Sequence, residues 1–200
     1  MKKILFIAIL SIFASATFAQ GLGLGARISY QSEGMVGDNA EYFSDENVSD
    51  GYAVGVDLLY HFNERLALRT GLDFMTHIYS WTEGSGKNEL DNGYLLMYLN
   101  APVLARFNFT RGFFAEAGLD LNFNVVSKVY HEDPIGDDLN WDDLDKWNAF
   151  QLGLSAGFGY TMWFGLEFSC RTTYGLLEPV EKADYRPLRF QIDISYWFLK

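Results

Sequence analysis

From residue 21 onward, hydrophobic and polar residues alternate with period two through segment after segment, the signature of strands with one apolar and one polar face. Gly21 to Gln31 puts Leu22, Leu24, Ala26, Ile28 and Tyr30 on one face. Gly23, Gly25, Arg27, Ser29 and Gln31 fall on the other. The alternation recurs over Gly51–His61, Leu66–Ser80, Tyr94–Phe107, Phe113–Ser127, Asn148–Thr161, Trp163–Leu176 and Pro187–Leu199. Eight strands are predicted, most of about ten residues, the length a tilted strand needs to cross a bilayer. Pro102 lacks an N–H and predicts a bulge or distortion in the fourth strand.

The connections alternate as regularly as the residues. Phe62–Arg65, Asn108–Gly112 and the residues near Met162 read as tight turns. Ser32–Asp50, Trp81–Gly93, Lys128–Trp147 and Leu177–Arg186 read as long loops. Turns at one end and loops at the other predict an all-β, eight-stranded antiparallel up-and-down transmembrane barrel, turns to the periplasm and loops outward.

A soluble barrel would hide the apolar face, and a membrane barrel would present it to lipid. Aromatics favour the second. Tyr60, Phe62, Phe107, Phe109, Phe113, Tyr160, Trp163, Phe164 and Phe198 gather near the turn end. Tyr30, Tyr52, Tyr79, Trp81, Tyr94, Trp147 and Tyr174 gather near the loop end, so two interfacial girdles are expected. Glycine concentrates on the charged face, as a narrow lumen requires.

Composition agrees. Aromatics make up 17% of the chain, with 19 Gly and only 4 Pro. Residues 1–19 read as a signal peptide: Lys2 and Lys3, an apolar run from Ile4 to Phe13, and a small-residue cleavage site at Ala19. Residues 20–200 then form one barrel domain exported to the outer membrane of a Gram-negative cell. No later stretch is long and apolar enough for a membrane helix. Cys170 is the only cysteine, so no internal disulfide is expected. The net charge of −11 argues against nucleic-acid binding.

The segment Tyr98-Leu99-Asn100-Ala101-Pro102-Val103-Leu104-Ala105-Arg106-Phe107, with the aromatic last strand ending at Phe198, resembles the small outer-membrane β-barrel family. That family includes PorT-like proteins and, more distantly, OmpX and the transmembrane domain of OmpA. The resemblance implies recognition by the barrel-assembly machinery during biogenesis. Its PorT-like branch implies a part in a secretion or assembly apparatus.

The polar face carries Arg27, Asp57, Arg69, Asp73, Arg106, Glu116, Asp120, Glu167, Arg171, Arg189 and Asp193, nearly balanced in sign. In so narrow a lumen these predict a structural network, with Arg106 as a candidate partner for Asp120; a gated ion path is the alternative. His77 beside Asp73 could suggest a hydrolase, but no nucleophile-elbow motif accompanies it. The acidic loops lack EF-hand spacing, and a solvated surface is expected there. Trp141 and Trp147 mark the third loop as a surface for an extracellular or envelope partner. No catalytic residue, cofactor or metal is expected. The reading is a non-enzymatic envelope barrel in outer-membrane lipid, structural or adhesive in role; secretion component and narrow pore are the alternatives.

Overall fold

The computed structural model describes residues 21–37, 49–83, 90–110, 112–132, 139–143, 148–180 and 184–199, and the proposed leader lies outside them. The strands are β1 (Leu22–Gly37), β2 (Ser49–His61), β3 (Leu66–Glu83), β4 (Leu90–Thr110), β5 (Phe113–Glu132), β6 (Leu139–Asp143), β7 (Phe150–Thr161), β8 (Leu166–Gly175) and β9 (Tyr185–Leu199). Each stave pairs antiparallel with its neighbours, and β1 pairs with β9 to close the ring. Eight strands form this up-and-down barrel. The ninth, β6, is a short hairpin partner of upper β5.

The registers fix the geometry of the ring. Following partners from Leu24 through Leu58, Thr70, Val103, Leu119, Leu154, Tyr174 and Leu188 returns to β1 at Gly34. The shear is therefore ten residues, from 24 to 34. With eight staves, that sets a strand tilt of about 40° and a barrel radius of about 8 Å. After backbone and side chains, little lumen remains.

The alternation sorts the side chains as the period demands. On β9, Leu188, Phe190, Ile192, Ile194, Tyr196 and Phe198 are exposed, while Arg189, Gln191, Asp193, Ser195 and Trp197 are buried. The turn-end girdle of nine aromatics is exposed throughout, with Trp163 at 92%. Tyr79 leaves the predicted loop-end girdle: it points inward, 4% exposed, because its odd position shares the face of Asp73 and His77.

The tight turns rely on glycine where the chain reverses. Gly112 (φ +99°) joins β4 to β5, and Gly165 (φ +100°) joins β7 to β8; L side chains rarely adopt such angles. Pro102 leaves its mark as expected. The β3–β4 ladder is interrupted at Gly71 and Leu72, opposite Ala101 and Pro102, and a register shift follows near Tyr98.

Several strands outrun their sequence-based limits. β1 continues to Gly37, β3 to Glu83 and β5 to Glu132, so much of three predicted loops is paired sheet. The rim is lopsided. β7 meets β5 only up to Phe123–Phe150, whereas β5 runs nine residues further, from 123 to 132, paired with β4 and β6. At this tilt those nine residues raise the wall by about 20 Å. The β7–β8 side forms a low notch beside it.

Candidate functional site

All eleven charged residues singled out on the polar face lie inside the barrel, none more than 5% exposed. Strand parity puts them there. The registers then decide which of them meet.

Toward the turn end, Arg69 on β3 is the hub. Its Nη2 donates to Asp57 Oδ2 at 2.8 Å and to Ser195 Oγ at 3.1 Å. Its Nη1 reaches Glu167 at 3.2 Å and Glu116 at 3.3 Å. Arg106 Nη1 donates to Glu167 Oε2 at 2.9 Å, and Trp197 Nε1 donates to the same oxygen at 2.9 Å. Aromatic faces complete the layer: the Arg106 guanidinium lies 3.4 Å from the Phe114 ring centroid, and that of Arg69 lies 5.7 Å from Trp197.

Nearer the loop end, Arg27 pairs with Asp73 and lies 3.5 Å from Asp57. Asp193 accepts from Ser29, Ser169 and Gln191. Asp120 accepts from Ser155, from Thr173 at 3.0 Å and from Asn100 at 3.1 Å. Among the described residues Arg171 makes no ion pair within 4 Å, but it lies in the field of Asp57, Asp73, Asp120 and Asp193. Arg189 donates to Asn122 at 3.5 Å.

The expected Arg106–Asp120 partnership is corrected here. The β4–β5 register sets Arg106 opposite Glu116 and Asp120 opposite Pro102, four residues along the strand. Arg106 therefore serves Glu167, while hydroxyl and amide donors hold Asp120. Spacing along one strand carries no register information, so the sequence could not separate these partners.

His77 and Asp73 do not form a catalytic pair. His77 Nδ1 lies 3.3 Å from Ser49 Oγ, and Asp73 is committed to Arg27. Glu33, read as a loop carboxylate, lies inside the lumen and accepts from Tyr79 at 2.6 Å. The sequence reading also missed the buried apolar members Leu59, Met75, Leu96, Tyr98, Leu104, Phe114 and Trp197. Strict inward parity was the available signal, and the polar neighbours on that face obscured it.

The lumen is shut. A cavity of about 790 Å³ opens at the turn end, lined by Leu59, Arg65, Arg106, Trp163 and Trp197 among others. It ends at the Arg69 layer, whose side chains are fully buried. Nearer the loop end, a pocket of about 10 Å³ lies between Asn122, Gln151, Thr173 and Arg189, room for about one water. Among the described residues, no cluster of three or more His, Cys, Asp or Glu side chains could hold a metal ion. Trp141 pairs with Tyr130 in the β5–β6 ladder, and Trp147 lies outside the described residues.

Solved structures share this architecture. The chain is similar to Ail, the attachment invasion locus protein of Yersinia pestis, solved in complex with the heparin analogue sucrose octasulfate. The TM-score is 0.57 at 13% identity, over 90% of this chain and all of that one. It is also similar to Neisserial surface protein A, with a TM-score of 0.56 at 11% identity, over 88% of this chain and 99% of that one. No curated protein sequence matches it. The model of the outer membrane protein β-barrel domain matches residues 13–178, most of the closed ring and its inward charges, and the chain belongs to that family.

Proposed function

We propose that this protein is a non-enzymatic barrel of the outer membrane that works through its extracellular rim in an adhesive or envelope-interaction role, not by conduction through its lumen. The observation that carries this reading is the Arg69 layer. One guanidinium ties together carboxylates from β2, β5 and β8 and seals the bore. A barrel of about 8 Å radius with such a layer leaves no continuous water path. The raised β3–β6 wall meanwhile offers paired sheet beyond the loop-end aromatics. Exposed sheet suits contact with another macromolecule.

Support also comes from the similarity in fold to the attachment invasion locus protein. Its sulfated ligand does not transfer, because this chain carries −11 net charge and would repel a polyanion. Export by the residue 1–19 leader and insertion by the barrel-assembly machinery belong to the same proposal.

Two measurements test it together. In planar bilayers the purified chain should show no single-channel conductance above the empty-membrane level. Cross-linking on intact outer membranes should capture an extracellular or envelope protein through the rim. Steady unit conductance would instead establish the narrow pore. Capture of a stable multi-protein secretion complex would establish the apparatus subunit.

A further inference from the structure

The cup at the turn end has two unlike sides. On β9, β1 and β2 its wall is apolar, built from Trp197, Gly23 and Leu59. Leu59 and Trp197 belong to one buried cluster with Ala67, so this side is firm. Across the bore, on β4 and β7, the wall is a row of donors: Arg106, Asn108 and Thr161. The floor is the Arg69 layer, so the cup of about 790 Å³ is a dead end with a single mouth.

Gly23 opens a recess in the apolar wall. A Cβ there would stand 3.4 Å from Leu59 Cβ and 3.5 Å from Trp197 Cε3, so its absence leaves an open slot between those two side chains. Arg106 faces this slot already oriented. The Phe114 ring covers one face of its guanidinium at 3.4 Å. Nε donates to Asn108 at 3.1 Å, Nη1 to Glu167 at 2.9 Å and Nη2 to Thr161 at 2.7 Å. Each nitrogen thus uses one N–H, and a guanidinium keeps a second on both Nη atoms. Arg65 stands exposed at the mouth, and among the described residues it makes no ion pair. In a chain of net charge −11, the tight turns carry Arg65 and Arg111 against the single carboxylate Glu64, so the turn end is the basic pole.

We propose that this cup binds a small aromatic carboxylate that enters from the turn side. Its ring lies in the Gly23 recess against Leu59 and Trp197, and its carboxylate takes the remaining N–H groups of Arg106, with Arg65 above it. The two walls select this occupant. A guanidinium fork matches a carboxylate, and an indole packs against a planar ring. A cation of the same shape would meet two arginines, and an aliphatic anion would leave the recess unfilled. The volume falls within the range of about 300–1,000 Å³ usual for small-ligand sites. The cup faces the bore and not the outer wall, so its ligand arrives through water and not from a lipid leaflet. The closed floor makes it a site of retention, independent of the role assigned to the rim.

The test uses the chain folded in phosphatidylcholine nanodiscs, with empty discs as the blank. Each variant is first checked for the heat-modifiable band of a folded barrel. Isothermal titration then compares 2-naphthoate with its cationic analogue 2-naphthylmethylamine. Naphthoate should saturate at one molecule per barrel, and the amine should bind about tenfold more weakly or worse. Gly23→Leu, which fills the recess, should abolish binding. Arg65→Glu lies outside the buried network and should weaken naphthoate by about tenfold, which keeps the site testable even where Gly23→Leu does not fold. Arg186→Glu at the opposite end should match the parent. No saturation above the blank would overturn the site. So would equal binding of the amine and naphthoate, or parental affinity in folded Gly23→Leu or Arg65→Glu.

Discussion

Arg69 on β3 and Glu167 on β8 meet across the lumen at 3.2 Å, although 98 residues separate them in sequence. The same guanidinium holds Asp57 and Glu116, so its removal takes a cation from three carboxylates at once and leaves Glu116 with no other ion pair among the described residues. Arg69→Leu should cost about 3–5 kcal/mol, the penalty for leaving buried charge unpaired. Urea unfolding in lipid vesicles measures it. The double variant Arg69→Leu with Glu167→Leu should recover part of the loss, and no recovery would show that the pair is not coupled.

The two faces of β5 should respond to opposite changes. Leu119 is 41% exposed beside Val103 and Leu154, so Leu119→Arg should destabilise the barrel by about 2–4 kcal/mol near the midplane. Asp120, 1% exposed, accepts from Ser155, Thr173 and Asn100. Asp120→Leu removes the acceptor of all three donors and should cost about 1–3 kcal/mol for each donor left unmet. A neutral Asp120→Leu in the same unfolding assay would mean that this face is wet.

Glycine spacing inside the lumen can be probed one methyl at a time. A Cβ on Gly55 would collide with Asp73 Oδ1, in the carboxylate that pairs with Arg27. Gly55→Ala should therefore cost about 1–3 kcal/mol as an overpacked site. At Gly34 a Cβ meets nothing within 4 Å, so Gly34→Ala should leave the unfolding midpoint unchanged.

Proteases added to intact cells should cut between Gly37 and Ser49 but spare Ser32–Val36, whose backbone is laddered to Arg186–Phe190. The turn between Thr110 and Phe113 should stay intact until the outer membrane is breached. Mass spectrometry of the released fragments reads both ends, and the reverse protection would invert the topology.

How much of this was legible depended on where lipid imposed a pattern. Within the band from Phe198 up to Phe190, one face must be apolar, and the alternation fixed the strand count, the faces and the turns. Above the band that demand lapses. Ser32–Gly37 and Lys128–Glu132 pair as sheet without an apolar face, so they read as loops. The inward charges were found by parity alone. Their partners depend on register around a ring with a shear of ten residues, which brings Arg69 to Glu167 and keeps Arg106 from Asp120.

The long sequence reach of the lumen contacts has a kinetic consequence. Arg27 meets Asp73 across 46 residues, Arg69 meets Ser195 across 126, and Ser29 meets Asp193 across 164. A hairpin formed early from β1 and β2 carries Arg27 and Asp57 but lacks Asp73, so most of its polar face is served by water. Each added stave leaves that face open until β9 zips onto β1. The interior must therefore dry in one late event, when the final seam is stitched, and a half-built barrel presents a hydrated charged trough that hydrocarbon rejects. Drying and seam closure are thus one cooperative step, and every buried charge enforces it.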